Sequence, residues 1–252
     1  MPHSTAVESR DLRVSLGSRR RRVEVLQGLD LHIATGSITG LFGPSGCGKT
    51  TLMRCIAGLQ HHSGDLRVLD SPAGSPALRG RLGYVTQSPS LYPELSIDEN
   101  LAYFARLAGG RVDPGLLDTL GLAAVHENRV ADLSGGQRGR ASLGAALVGD
   151  PELLIMDEPT VGLDPVIRAQ LWETFRGLAA AGRTLLVSSH VMEEAGHCDH
   201  LILLRAGRLL WEGAPADLLA GTGTRSYEDA FLAIIEQHEH PEHPEHQERS
   251  PR

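Results

Sequence analysis

Residues 37–50 read Ser37-Ile-Thr-Gly-Leu-Phe-Gly-Pro-Ser-Gly-Cys-Gly-Lys-Thr50. Ser37 to Phe42 predicts a buried strand that runs straight into Gly43. From Lys49 to Ala57 the spacing of Leu52, Cys55 and Ile56 predicts a helix with one apolar face. A strand, a glycine-rich turn and a helix, ending in Gly-Lys-Thr, match the phosphate-loop pattern at every fixed position. The glycines let backbone N–H groups turn inward around a polyphosphate, and the helix adds its positive N-terminal end. Gly43, Pro44, Ser45, Gly46, Cys47, Gly48, Lys49, Thr50 and Thr51 are therefore candidate nucleotide-binding residues. The Lys49 ammonium reaches toward the β- and γ-phosphates, and the Thr50 hydroxyl is a candidate Mg²⁺ ligand. Because Cys47 lies inside the loop, bound nucleotide is expected to shield it from alkylation.

Lys49 is the only lysine in the chain, against 24 lysines and arginines together. An arginine-rich gene composition accounts for the bias but not for where the exception sits. A compact ammonium suits a phosphate in a way that guanidinium does not.

The rest of the chain is an α/β sequence. Its 252 residues, 41% apolar, allow one substantial core with a smaller lobe attached. Val7 to Val14, Val23 to Gln27 and Leu29 to Ile33 predict short β segments of an N-terminal antiparallel unit, with Arg19 to Arg22 in a solvated turn. Strands Leu66 to Leu69 and Leu82 to Thr86 follow. Residues 88–150 then turn helical (Asn100 to Leu107, Leu116 to Leu122), as an inserted lobe. Beyond it, strands Leu153 to Met156, Thr184 to Ser188 and Leu201 to Leu204 alternate with helices Val166 to Ala180 and Val191 to Gly196. That alternation predicts a mainly parallel sheet covered on both faces. Residues 1–237 form one folded unit in this reading. Residues 238–252 read as a disordered His/Glu/Pro tail, with metal binding by His238, His240, His243 and His246 as the alternative.

Other bulk properties narrow the partners. A formal net charge of −7 argues against a nucleic-acid partner. Cys47, Cys55 and Cys198 are too few for a disulfide framework and suit a reducing cytoplasm. No stretch approaches the ~20 apolar residues of a membrane helix, and Met1 to Arg13 lacks a signal-like segment. Any membrane crossing would have to come from another subunit.

Two further motifs carry chemistry. Leu153-Leu-Ile-Met-Asp157-Glu158 places an acidic pair at the C-terminal end of a buried strand, where open parallel sheets bind ligands. Asp157 would hold the metal, and Glu158 would orient or deprotonate the attacking water. Plain helix capping is the alternative, weakened by Pro159. Leu133-Ser-Gly-Gly-Gln137 is either a serine-capped helix start or a second anion cradle at a helix N-terminus. One phosphate loop and two cradles suggest two chains sharing two nucleotides.

These motifs, in this order, resemble the nucleotide-binding subunits of ATP-binding cassette (ABC) transporters over about residues 6–237, closest in wording to drug- and polysaccharide-exporting types. The resemblance implies a P-loop NTPase fold with a RecA-like core and inserted helical subdomain. It also implies ATP and Mg²⁺, and a dimer in which Ser134, Gly135, Gly136 and Gln137 of one subunit close over ATP on the other. Gln87 matches the family's Q-loop, a metal and γ-phosphate sensor; Gly162 to Asp164 its D-loop; and His190 its switch histidine, although His190 also reads as a cap for the helix at Val191. A transmembrane permease would be the partner, with this subunit peripheral on the inner face of the membrane. The sequence departs from the family at Leu16, where an aromatic usually stacks on adenine, which leaves preference for ATP over GTP open. Gly139 and Ala145 also replace bulkier polar residues. Tyr227 to Ile234 and Leu91 to Gly109 resemble exporters; Pro44 to Gly48 is worded like importers. A soluble cassette ATPase and a non-hydrolysing regulatory module are the other classes, and Glu158 with His190 argues against the second.

Overall fold

The computed structural model describes residues 5–17, 21–88 and 90–239. Strands β1 (Thr5–Leu16), β2 (Val23–Ala34), β4 (Ser63–Val68) and β5 (Ser71–Pro72) form an antiparallel sheet in the order β2-β1-β4-β5. Val23–Gln27 and Leu29–Ile33, expected as two segments, are one strand. Gly28 bends it at φ 77, and the register with β1 shifts around the Leu12–Leu29 pair, so the chain turns without breaking the ladder.

The second sheet contains β3 (Ile38–Phe42), β6 (Leu82–Val85), β7 (Leu153–Asp157), β8 (Thr184–Ser189), β9 (His200–Arg205) and β10 (Arg208–Gly213). Its order is β10-β9-β3-β8-β7-β6, parallel throughout except for β10 at the edge. Successive β7 residues enter opposite cores. Leu153 and Ile155 join α1 (Lys49–Ile56) and the antiparallel sheet; Leu154 and Met156 join α5 (Pro165–Ala180) and the helices described next. All four are fully buried, contributing roughly 1.5–3 kcal/mol per side chain. A strand buried on both faces has no polar positions to alternate, so it reads as an apolar run.

Between β6 and β7 lie α2 (Ile97–Ala108), α3 (Leu116–Thr119) and α4 (Gly135–Leu147). Ser96 and Glu99 form a capping box that starts α2 earlier than expected. The helix expected over Leu116 to Leu122 stops at Thr119. Gly121 turns left-handed there, and Arg140 takes the carbonyls of Leu120 and Gly121 at 3.0 and 3.3 Å. After β8, a 3₁₀ turn (Met192–His197) stands in place of the α-helix expected over Val191 to Gly196. Its bonds, Glu194 N–H to Val191 O and Cys198 N–H to Ala195 O, close three residues apart.

β10, α6 (Pro215–Thr222) and α7 (Tyr227–Glu239) complete the chain. α7 includes His238 and Glu239, placed in the tail by composition; His238 Nδ1 lies 2.8 Å from Ile234 O, inside the last turn. The remaining tail residues, with the metal reading of His240, His243 and His246, lie outside the described residues, as do Arg19 and Arg20. Among the described residues no helix is long and apolar enough to cross a membrane.

Candidate nucleotide site

The phosphate loop is braced from the β9–β10 turn. Gly207 N–H donates to Cys47 O at 2.9 Å, and Gln27 ties the same turn to β2 through Gly207 O and Ala206 O, both at 2.9 Å. Gly43 sits so close to β9 that an added Cβ would stand 2.1 Å from Leu204 O. Gly48, at φ 115, caps α1 without a side chain and leaves the helix N-terminus bare. Behind it Lys49 is only 5% exposed. Its Nζ donates to Gly43 O at 2.7 Å and stands 3.7 Å from Glu158 Oε1. Ser45, Gly46, Thr50 and Thr51 line the cavity in front of Lys49, about 250 Å³, with Val25 as its apolar wall.

Cys47 differs from expectation. Its side chain is buried, facing the protein beside Gly43 and Leu204, and burial pushes its thiol above the ordinary range. Protein, rather than nucleotide, is what shields it.

The end of β7 gathers the acidic pair. Asp157 is buried and accepts from Ser188 Oγ at 2.7 Å; the same oxygen accepts from Glu158 N–H at 2.9 Å. Glu158 has left-handed backbone, φ 51, a conformation that costs a non-glycine residue about 1–3 kcal/mol and is kept where the surroundings enforce it. Its carboxylate is a hub. Gln87 Nε2 donates to Oε2 at 3.2 Å, while His190 Nδ1 and Lys49 Nζ approach Oε1 at 3.3 and 3.7 Å. His190 does not cap the following turn; Ser189 Oγ accepts from Val191 N–H at 3.0 Å instead. Ser188 is the residue that reading the sequence missed. Its only signal is a serine pair closing an apolar strand.

The second cradle stands apart. Ser134 caps α4 in a reciprocal box with Gln137 at 3.2 and 2.9 Å, and Ser134 and Gly135 are exposed. Gly135 borders a cavity of about 300 Å³ shared with Gln87, Glu158 and Gly162, but Ser134, Gly136 and Gln137 line neither cavity. Asp164 accepts from Val166 and Ile167 N–H, both at 3.0 Å, capping α5. One chain therefore brings together the phosphate loop, Gln87, Asp157, Glu158 and His190, with Gly135 at the edge of a cavity that Gln87 and Glu158 also line, and leaves Ser134, Gly136, Gln137 and Asp164 outside. Leu16 pairs in register with Val23; at 39% and 63% exposed they form an aliphatic ledge two residues beyond Val25.

The residues suit the groups that the resemblance implies. No atom lies within 4 Å of where a Gly46 Cβ would stand, so the loop is open toward a polyphosphate. Thr50, Gln87 and Asp157 offer only oxygens to a cation, the set a hard Mg²⁺ ion takes. Among the described residues no group of three His, Cys, Asp or Glu side chains offers a rival metal site.

A parallel sheet with a phosphate loop at its strand ends, and a carboxylate facing the loop lysine, defines a nucleoside-triphosphate hydrolase of the P-loop class. The family model described as "ABC transporter" matches residues 26–161, more than half of the chain. The chain is 40% identical over 230 residues to Nod factor export ATP-binding protein I of Paraburkholderia xenovorans (strain LB400), covering 87% of this chain and 74% of that one. It is 43% identical over 206 residues to the protein of that name from Cupriavidus metallidurans (strain ATCC 43123 / DSM 2839 / NBRC 102507 / CH34), covering 77% and 68%. A solved ATP-binding subunit of an ABC transporter superposes with a TM-score of 0.79 at 26% identity, covering 92% of this chain and all of the other. An ATP-binding cassette dimer with ADP and Pi gives 0.75 at 22%, covering 82% and 98%, a likeness of fold. The chain belongs to the ABC transporter family, as an ATP-binding and ATP-hydrolysing subunit.

Proposed function

We propose that this subunit energises export through a separate transmembrane permease, with Glu158 as the base of ATP hydrolysis. The observation that carries the mechanism is the Glu158 carboxylate, faced by Gln87, His190 and Lys49 at the mouth of the phosphate loop. Glu158 accepts a proton from water as its oxygen attacks the γ-phosphorus; the bond to the β–γ bridging oxygen breaks, giving ADP and phosphate. Lys49 holds the phosphates. His190 faces the same carboxylate oxygen as Lys49, with Gln87 on the other, and reaches the γ-phosphate. Asp157, held by Ser188, would bind Mg²⁺ with Thr50 and Gln87, whose Nε2 is engaged so that Oε1 is the atom offered; the ion would neutralise phosphate charge.

In this proposal residues 1–237 are one nucleotide-binding domain, with a helical subdomain at about 88–150 that meets the permease. Exposed Leu107 and the Tyr92, Tyr103, Phe104 ring cluster support that docking role. The exposed Ser134 and Gly135 support a second subunit whose ATP they complete; Gln137 and Asp164 join that interface. Export, rather than import, rests on the relatives' names and on the exporter-like Tyr227 to Ile234, which forms the body of α7. The subunit is cytoplasmic, bound to the inner face of the membrane through its permease, with no nucleic-acid partner.

Glu158→Gln tests the mechanism. Steady-state turnover is expected to fall by about 10²–10³-fold with ATP binding retained. Unchanged turnover would remove Glu158 from the reaction.

A further inference from the structure

Behind the site, away from the phosphate loop, three segments meet at one buried carboxylate. Glu194 is 2% exposed. It lies four residues after His190, within the 3₁₀ turn. Its Oε2 accepts from Thr160 Oγ1 at 3.0 Å, and Thr160, also 2% exposed, lies two residues after Glu158. Its Oε1 faces Arg168 Nε at 3.6 Å, an ion pair longer than a hydrogen bond. Arg168 stands in the first turn of α5, where its amide bonds to Asp164 O at 3.0 Å.

We propose that Glu194 is a positioning residue for hydrolysis, holding the Glu158 turn, the His190 segment and the start of α5 in a single register. The inference rests on Glu158 and His190 acting as assigned above. A buried carboxylate is costly unless bonded. This one stands on the His190 segment and bonds the Glu158 turn through Thr160, while its Oε1 has only the longer contact with Arg168 and no hydrogen-bond partner. The two segments so joined are those whose side chains meet across 3.3 Å at Glu158 Oε1. Glu158 also needs enforcement, since its left-handed backbone is not one that the residue adopts unaided. Ser188 supplies that from the strand side through the Glu158 amide. Thr160 and Glu194 supply it from the other side, where the chain leaves the turn. Arg168 faces the other carboxylate oxygen at 3.6 Å without a hydrogen bond, so the ion pair alone extends the constraint to the start of α5. None of these three touches the phosphate loop, so nucleotide affinity is not their task.

The test is steady-state hydrolysis by the full chain with ATP and Mg²⁺, comparing Thr160→Val, which keeps shape and removes the hydroxyl, with Thr160→Ser, which restores it. Thr160→Val is expected to lower kcat by about tenfold or more with KM for ATP within about twofold, because misplacement of reacting groups acts on the transition state. Thr160→Ser is expected to recover most of the loss. Glu194→Gln, which keeps an acceptor for Thr160 but loses the charge facing Arg168, is expected to fall between them. If Glu194→Gln does not fold, the Thr160 pair decides alone. Glu158-dependent turnover with kcat in Thr160→Val within about twofold of wild type, whatever its Tm, would overturn the positioning role. Wild-type turnover indifferent to Glu158→Gln would instead overturn the site reading beneath it.

Discussion

Helices α1 and α4 both carry glycine at their N-termini, Gly48 just before the first and Gly135-Gly136 opening the second, and those N-termini have different surroundings. α1 starts at Gly48 without a side-chain cap, with Lys49 buried behind it and Glu158 within 3.7 Å. α4 starts at Ser134 with a complete capping box, exposed and outside the phosphate-loop cavity, although Gly135 borders a neighbouring cavity that Glu158 also lines. The first end is built into a site that already holds its lysine and its carboxylate. The second is capped and exposed, and Ser134, Gly136 and Gln137 line neither cavity. In the proposed head-to-tail pair, the exposed N-terminus of α4 in one copy would meet the phosphate site of another.

The strongest way to break the α1 side is Lys49→Arg. Charge is kept, but a planar guanidinium does not fit the pocket beneath Gly43 O, and ATP hydrolysis is expected to fall by about 10²-fold or more. Turnover near wild type would mean that the lone lysine is incidental. The α4 side is sharpened by Gly135→Glu. No atom lies within 4 Å of a Cβ there, and a carboxylate at a helix N-terminus adds about 0.3–1 kcal/mol of stability. Tm is therefore expected to hold or rise while turnover falls by about tenfold or more, from repulsion of the phosphates on the partner. Turnover that keeps pace with Tm would contradict a cradle role.

A smaller effect concerns thiols. Cys47, Cys55 and Cys198 are all buried, and burial raises each thiol, Cys55 to about 11. Native protein is expected to label slowly with a thiol reagent, with or without ATP, and fully once unfolded. Rapid labelling that ATP suppresses would return Cys47 to the ligand face.

The smallest is a pH effect remote from both helices. Burial holds the His200 imidazole below its ordinary value, helped by His32 and opposed by Glu212. The unfolded chain then binds its proton at higher pH than the folded one, so stability falls as pH drops through the ordinary histidine value of about 6.5 and levels off below the folded value. His126, raised mainly by its bond to Asp98, contributes with the opposite sign. The difference between wild type and His200→Gln in Tm from pH 7.5 to 5.5 isolates the term, and the variant is expected to show the shallower fall.

Legibility in the sequence followed how local the physics was. Gly43 to Thr50 could be read because strand, turn and helix start are contiguous, and Leu153 to Glu158 because double burial forces an unbroken apolar run. β10 and α6 went unread. Arg208 to Gly213 is an edge strand of half-buried and exposed residues without clean alternation, yet its turn braces Cys47. Ser188 was hidden for another reason: its bonds to Asp157 and Glu158 span about thirty residues, and only the parallel pairing of β7 with β8 makes them neighbours. The 3₁₀ form of Met192 to His197 and the burial of Cys47 likewise depend on what packs against them. Such partners leave no periodic trace.

The measurement that bears most directly on the two-chain account is complementation between the two impaired variants, Lys49→Arg and Gly135→Glu. If α4 of one copy completes the phosphate site of another, mixed dimers contain one intact composite site, and an equal mixture is expected to recover about a quarter of wild-type turnover. A mixture no more active than its separate components would mean that each chain completes its own site, against the exposed placement of Ser134 and Gly135.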